Sequence, residues 1–201
     1  MDEIRIGFDV GVHGAIAVFR NDELYLKREF PLIKDEDGKD SVDLDALSSI
    51  LLDVAGLSSD VYCFIENVHA IWGSSAGSTF MFGRQLGRLE GLVQGMGLPY
   101  SLVSPKMWQG EMWKGIERIK LPKKTKTGKV RNDTKAISEL TAKTLFPNED
   151  FRKNSRCRIF HDGIVDAVLI AEYCRRMRKP KEPLKDNAPI KDAYKYGYFQ
   201  G

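Results

Sequence analysis

Acidic side chains at the ends of apolar segments are the first indication of chemistry in this sequence. Asp9 ends a strand-like run that starts at residue 4, and Glu66 follows the apolar run Val-Tyr-Cys-Phe-Ile. A buried carboxylate is costly unless it is paired or bound to a cation. A turn-capping role would explain Asp9 alone, but two such acids on neighbouring strands would meet at one edge of a sheet. The pattern therefore predicts a site that contains Asp9 and Glu66.

A third acidic segment, His161-Asp162-Gly163-Ile164-Val165-Asp166, opens the last predicted helix. Asp162 and Asp166 are four residues apart and so share one helix face. An acid in the first turn also stabilises the helix dipole by roughly 0.3–1 kcal/mol, which explains Asp162 without any function. That explanation is weaker for Asp166, which lies a full turn further in and is flanked by apolar residues.

These acids and one histidine form a ligand set of mainly oxygen donors. Such donors favour Mg²⁺ or Mn²⁺, and two such ions roughly 3.5–4 Å apart can promote phosphodiester hydrolysis. Zinc prefers closely spaced His and Cys, whereas the three histidines are scattered at positions 13, 69 and 161. The predicted cofactor is Mg²⁺ or Mn²⁺, two ions per active site, and the candidate ligands are Asp9, Glu66, Asp162, Asp166 and His161.

The pattern of apolar residues predicts the elements that position these side chains. Strands are predicted at 4–9, 15–19, 24–30, 61–65 and 100–103, with a hairpin turn at Asn21-Asp22. Helices are predicted at 43–54, 76–96, from Pro105, and at 133–145 and 163–178, whereas 34–40 and 114–131 are interpreted as loops. This order predicts an α/β fold with a mixed five-stranded sheet: three antiparallel strands, then parallel ones, flanked by helices.

Composition and charge limit the class of protein. The chain has 201 residues and 42% hydrophobic residues, which predicts one domain at 1–179 and an extended tail at 180–201. No apolar run approaches the roughly 20 residues that span a membrane, the N-terminal segment lacks a signal-peptide pattern, and three scattered cysteines favour a reducing, cytoplasmic setting.

Residues 1–66 hold 6 basic and 15 acidic side chains, and residues 67–201 hold 25 basic and 13 acidic ones. This asymmetry suits a cation site beside a polyanion surface, although uneven charge on a solvated surface is common.

The helix predicted at 76–96 has an unusual repeat of glycines at 83, 87, 91 and 95. Each glycine weakens a helix by about 1 kcal/mol, so a repeat in register needs a reason. Close packing against a sheet or against a second subunit would supply one. Phe82, Leu86, Leu89 and Val93 are predicted to form the apolar stripe of this helix.

Five motifs in order resemble the RuvC-type Holliday-junction resolvases of the RNase H-like superfamily, over about residues 4–178. The acidic ones are Phe8-Asp9-Val10-Gly11, Ile65-Glu66-Asn67-Val68 and the segment 162–171. The others are Leu86-Gly87-Arg88-Leu89-Glu90-Gly91, which resembles the interface helix of the family, and Leu98-Pro99-Tyr100 with Ser104-Pro105. The His-Asp-Gly-x-x-Asp-Ala form looks most like phage-encoded members.

The resemblance implies a homodimer, paired through the helix at 76–96, that nicks two strands of a four-way DNA junction symmetrically in a bacterial or phage-infected cell. Asp9, Glu66 and Asp166 match the metal-binding acids of the family, and Lys135 matches a lysine near the scissile phosphate. The fourth family ligand falls on Gly163, which leaves Asp162 or His161 for that role. A second family lysine falls beside Gln109, so Lys106 or Lys114 is its candidate replacement.

Further residues are predicted to contact DNA. An aromatic side chain wedges into the junction in the family; here Trp72 is preferred over His69, and Phe80 and Phe82 lie nearby, with Phe82 assigned to the core. Between Lys114 and Lys135 there are nine basic and two acidic residues, which would neutralise backbone phosphates or form a solvated loop. The candidates within that segment are Lys123, Lys124, Lys126, Lys129 and Arg131.

Three other functions compete with a junction endonuclease. The same acids would serve an RNase H-type enzyme that cuts RNA–DNA hybrids, or a flap nuclease. An actin-like or sugar-kinase ATPase would need a second Asp-x-Gly loop and a longer chain. A junction-binding protein without catalysis would not need to keep all the principal acids.

Overall fold

The computed structural model describes residues 2–67, 75–124 and 130–178. Its strands are β1 (Glu3–Asp9), β2 (Ala15–Arg20), β3 (Glu23–Glu29), β4 (Leu32–Lys34), β5 (Asp40–Val42), β6 (Asp60–Glu66), β7 (Tyr100–Val103), β8 (Lys120–Lys124) and β9 (Val130–Asn132). Its helices are α1 (Leu44–Ala55), α2 (Ala76–Gly95), α3 (Pro105–Met112), α4 (Thr134–Leu145) and α5 (Asp162–Met177).

The main sheet has the strand order β3-β2-β1-β6-β7. β1 pairs antiparallel with β2, and β2 with β3, whereas β6 lies parallel to both β1 and β7. The turn between β2 and β3 contains Asn21 at φ 55°, a conformation that asparagine tolerates better than most residues. This confirms the predicted α/β fold with a mixed five-stranded sheet flanked by helices.

Helices cover both faces of the sheet because alternate residues of each strand point to opposite sides. On β2, Ala15 and Phe19 pack with α5, α4 and α3 in one core. Ile16 and Val18 face the other way and pack with α1 and α2 in a second core. Both faces of the central strands β1 and β2 are therefore buried, whereas the edge strands β3 and β7 are partly exposed.

Helix α5 lies unusually close to the centre of the sheet. A Cβ atom on Gly7 of β1 would be 2.3 Å from the backbone nitrogen of Ala171 and 2.4 Å from the carbonyl oxygen of Ala167. Only a glycine permits this approach of helix backbone to strand. The contact sets the height of α5 above β1 and therefore the position of the acids that α5 carries.

The segment 34–40 is a loop at 35–39 as predicted and connects two short strands, whereas 114–131 contains strand residues, so its interpretation as a loop was wrong in part. β4 and β5 pair across the charged segment 34–40, where Gly38 adopts φ 75°. β8 and β9 form an antiparallel pair within 114–131, and Lys120 Nζ donates to Asn132 Oδ1 at 2.6 Å. Charged composition concealed both pairs, since strands this short show little alternation.

The assignment of Phe82 to the core was also wrong. Phe82 is 40% exposed, and the buried residues of α2 are Gln85, Leu89 and Val93. The first buried residue of the helix is Gln85, in its third turn, so its first two turns project beyond the core.

The structure also describes the state of the cysteines and the character of the helices. The three cysteines are free thiols, and Cys63 and Cys174 are buried. Across the described ranges, none of the helices combines the length and apolar character required to cross a membrane.

Candidate active site

The carboxyl ends of β1 and β6 bring Asp9 and Glu66 together. These strands are parallel neighbours with Phe8 opposite Ile65, so both acids emerge at the same edge of the sheet. Their side chains interact directly, an interaction that raises the pKa of Asp9 and lowers that of Glu66. The sequence prediction that two strand-end acids share a site is matched by this geometry.

Helix α5 adds Asp166 to this pair. Its Oδ1 atom is buried and has no hydrogen-bond partner. The pKa of Asp166 is raised to about 7. Burial is the main cause and the charges of Glu66 and Asp162 add to it, whereas the hydrogen bond with the Ser138 side chain lowers the pKa. A carboxylate oxygen without a partner in such a place is costly, and a bound cation would remove that cost.

The pKa of Asp9 is raised well above its usual range. Burial of the carboxyl group is the main cause, and the charges of Asp166 and Glu66 add to it. Burial also raises the pKa of Glu66, while hydrogen bonds from Trp108 and Asp9 lower it. Three acids whose ionised forms destabilise one another are typical of a site that is completed by positive charge.

Trp108 orients Glu66 from the side of the core. Its indole Nε1 donates to Glu66 Oε1 at 2.9 Å, and the Trp108 side chain is fully buried in α3. The bond restrains the carboxyl group and compensates for part of its desolvation. Sequence reasoning missed this residue, because nothing in the pattern of α3 links it to the end of β6.

Asp162 and Lys135 form an ion pair at the solvent side of the cluster. Asp162 lies in the first turn of α5 and Lys135 in the first turn of α4, and their side chains are 46% and 72% exposed. The hydrogen bond to Asp162 is the main cause that raises the pKa of Lys135. Lys135 therefore carries its positive charge at the rim of the acidic site.

His161 has both ring nitrogens engaged. Nδ1 accepts from the backbone N–H of Ile164 and caps α5 at 3.2 Å, while Nε2 lies 2.5 Å from Glu29 Oε1. Of the two candidates for a fourth metal ligand, this geometry favours Asp162, because a metal bound to His161 would displace one of these bonds. His161 instead acts as the residue that starts the helix.

Gly163 keeps the floor of the site open. A Cβ atom there would lie 2.8 Å from Asp9 Oδ2 and 3.0 Å from the carbonyl oxygen of His13. Any other residue would have to displace the Asp9 carboxyl group. A glycine at this position therefore makes room for Asp9.

The chemistry of this donor set suits a divalent cation. Carboxylate oxygens are the ligands that Mg²⁺ and Mn²⁺ prefer, and Asp166 offers an oxygen with no partner. In the part of the chain that the structure describes, no three His, Cys, Asp or Glu side chains are already arranged as a complete metal site.

Some of the candidate DNA contacts are exposed side chains, and the others lie wholly or partly outside the residues that the structure describes. Lys106, Lys114 and Arg131 are exposed, and Lys114 Nζ is 2.5 Å from Glu111 Oε2. Lys123 and Lys124 lie on β8, where the description covers their backbone only. His69, Trp72, Lys126 and Lys129 are outside the described residues, as is the tail at 180–201.

The indole of Trp108 offers a direct test of the site. We expect Trp108→Phe to weaken Mg²⁺ binding roughly 10-fold, since loss of a partner that orients a ligand typically costs 10–100-fold. Trp113→Phe is the matched control, because Trp113 is also buried but its Nε1 has no hydrogen-bond partner. Isothermal titration with Mg²⁺ measures both, and equal affinities in the two variants would contradict a role for Trp108.

Comparison with known proteins gives no match in sequence and similarity in structure. No family model matches the chain, and no curated protein does. Thermus thermophilus RuvC in complex with a Holliday junction substrate is 12% identical, with a TM-score of 0.48 over 87% of this chain and 96% of that one. Thermus thermophilus RuvC alone is 14% identical, with the same coverage and TM-score. The yeast mitochondrial Holliday junction resolvase Ydc2 is 16% identical, with a TM-score of 0.35 over 85% of this chain and 77% of that one. Because these TM-scores are below 0.5, the assignment of the fold depends on the sheet order described above. The assignment of the site depends on the side chains of this chain.

Proposed function

We propose that this protein is a divalent-metal-dependent DNA endonuclease that cuts four-way or other branched junctions with paired, symmetric nicks. The observation that carries the proposal is the convergence of Asp9, Glu66 and Asp166, with a buried Asp166 oxygen that has no partner. The four-way junction as substrate follows from the resemblance of the motifs to RuvC-type resolvases.

The residues that would hold Mg²⁺ or Mn²⁺ are Asp9, Glu66 and Asp166, with Asp162 as the fourth. Two bound ions would supply activation of the attacking water and stabilisation of the leaving oxygen in phosphodiester hydrolysis. Trp108 keeps Glu66 oriented, and His161 holds the start of α5, so that Asp162 and Asp166 keep their positions. The chain thus contributes a rigid acidic cradle.

Lys135 supplies the positive charge that a phosphate substrate requires beside this cradle. Its ammonium group is exposed and pairs with Asp162. A phosphate that approaches the site can take over that interaction, so Lys135 would position the scissile phosphate. Lys106, Lys114, Lys123, Lys124, Lys126, Lys129 and Arg131 would neutralise backbone phosphates further along the DNA.

Assembly as a homodimer through α2 is part of the proposal. At Gly83, Gly87, Gly91 and Gly95 an added Cβ would meet no heavy atom within 4 Å, so this face of α2 does not pack on the sheet. This open face supports packing against a second subunit as the reason for the repeat. Light scattering should therefore give twice the 22.7 kDa of the chain, and a monomeric mass at micromolar concentration would contradict the dimer.

Activity on labelled DNA tests the proposal directly. Four-way junctions, forks, flaps and RNA–DNA hybrids are offered with Mg²⁺, with Mn²⁺ or with EDTA. We expect paired nicks on the junction that disappear with EDTA and in Asp9→Asn, while junction binding persists. Asp53→Asn is the control, because Asp53 is an exposed acid on α1. Preferential cutting of the hybrid would favour an RNase H-type nuclease, and binding without cutting would favour a non-catalytic junction-binding protein.

A further inference from the structure

The loop that joins α4 to α5 has a composition that the function so far leaves unused. Residues 151–161 read Phe-Arg-Lys-Asn-Ser-Arg-Cys-Arg-Ile-Phe-His, with four basic residues and no acid. We call this segment the 151–161 loop. It leads directly into Asp162 and so ends at the candidate active site.

The base of the 151–161 loop is anchored to the protein. The backbone N–H of His161 donates to the carbonyl oxygen of Phe151 at 2.9 Å, which closes the loop. Phe151 is fully buried, and its ring lies 5.3 Å from that of Phe160. Lys153 forms an ion pair with Glu29 at 2.5 Å. These contacts hold both ends of the loop against β3 and α5.

The tip of the loop has its own hydrogen bonds. Asn154 accepts from the backbone N–H of Arg156 through Oδ1 at 3.0 Å and from that of Cys157 through its carbonyl oxygen at 3.1 Å. The Arg152 guanidinium donates to the carbonyl oxygen of Cys157 at 3.3 Å. The backbone around the tip is therefore held in one turn.

Three side chains of this turn face solvent without compensating contacts. Ile159 is 78% exposed, the highest value among the large hydrophobic side chains of the described residues. Arg156 and Arg158 are exposed, and no carboxylate of the described chain pairs with either one. By contrast, Arg152 and Lys153 in the same loop are both paired with acids. A well-held turn thus presents two free positive charges and one apolar side chain.

This combination matches the chemistry of DNA. Arginine contributes affinity through backbone phosphates, and isoleucine is among the apolar side chains that proteins insert between base steps. Ile159 is three positions before Asp162, so their Cα atoms are at most about 11 Å apart. The loop tip lies within reach of a strand whose phosphate sits at the acid cluster.

We propose that the 151–161 loop is a DNA-binding element, in which Arg156 and Arg158 contact backbone phosphates next to the cleavage site and Ile159 packs against the bases. The proposal rests on the proposed nuclease function and adds to it a contact surface beside the acids.

Binding of a fluorescent four-way junction in EDTA tests this inference at several salt concentrations. Arg156→Gln and Arg158→Gln should each weaken binding about 3- to 10-fold and reduce the slope of log K against log salt by about 1. Ile159→Ser should weaken binding with an unchanged slope, because no charge is lost. Arg20→Gln is the control. Arg20 lies opposite Ile4 in the pairing of β1 with β2, at the far end of β1 from Asp9. This substitution should change the affinity for the junction less than about 2-fold.

The outcomes separate the two proposals. If wild type binds and cuts branched DNA but the three loop variants behave as Arg20→Gln, the loop inference is overturned and the nuclease function stands. If wild type neither binds nor cuts DNA, the function fails and the loop loses its basis. A changed oligomeric state in Ile159→Ser would identify the loop as a subunit contact and would also overturn the inference.

Discussion

The Asp166→Asn variant should be more stable than wild type in EDTA at pH 8, although it should cut DNA at least about 10³-fold more slowly. Burial raises the pKa of Asp166 to about 7, so the ionised form is unfavourable in the folded protein. The asparagine side chain has no charge, and its NH₂ group can donate to the neighbouring carboxylates. The variant therefore removes a destabilising charge that the wild type keeps for function.

The sign of the pH dependence follows from the same shift. The unfolded chain loses the Asp166 proton near pH 3.8, whereas the folded protein loses it only near pH 7. Between these values the folded state binds more protons, so its stability falls as the pH rises. The shift corresponds to a loss on the order of 4 kcal/mol by pH 8. The advantage of Asp166→Asn should therefore be small at pH 4 and largest at pH 8.

Thermal melts at pH 4, 6 and 8 in EDTA measure this difference. At pH 8 the variant should melt about 8–16 °C higher, from roughly 2–4 °C per kcal/mol for a chain of this length. Addition of Mg²⁺ should raise the melting temperature of wild type and leave that of Asp166→Asn nearly unchanged. Asp53→Asn again serves as the exposed control. A variant that is less stable than wild type at pH 8, or that responds equally to Mg²⁺, would rule out an acidic cation site at Asp166.

Gly7→Ala should greatly lower the free energy of unfolding, although it adds a single methyl group. The new Cβ would lie 2.3 Å from the backbone nitrogen of Ala171 and 2.4 Å from the carbonyl oxygen of Ala167. Overpacking in a core typically costs 1–3 kcal/mol, and here the atoms in the way belong to helix backbone that cannot rotate aside. We expect a loss of at least about 3 kcal/mol, which is a large share of the 5–15 kcal/mol of a typical domain.

Gly110→Ala is the matched control for this prediction. Gly110 lies within α3, is exposed, and an added Cβ there meets nothing within 4 Å. Alanine is a better helix former, so this variant should be stabilised by up to about 1 kcal/mol. Urea unfolding followed by circular dichroism compares the two variants. A Gly7→Ala protein as soluble and stable as wild type would mean that α5 can move away from β1, and the close approach would lose its structural importance.

Local patterns in the sequence determined the elements and the acids. Short apolar runs placed all five strands of the main sheet. The helices predicted to begin at Asp43 and Asp133 are α1 and α4, and the side chains of these two residues cap them. Asp9 and Glu66 were identifiable because a carboxylate directly after a buried strand is expensive without a partner. These inferences hold because each depends on residues within a few positions of one another.

Tertiary structure decided the contacts between distant segments. Trp108 reaches Glu66 across 42 positions of sequence, and Glu29 engages His161 across 132, so neither partner could be read from local spacing. The exposure of Phe82 and Ile159 likewise depends on where α2 and the 151–161 loop meet the core. A sequence pattern reports the preference of a segment for helix, strand or burial. Which side chains then share a proton, a cation or a surface depends on the packing of the whole chain.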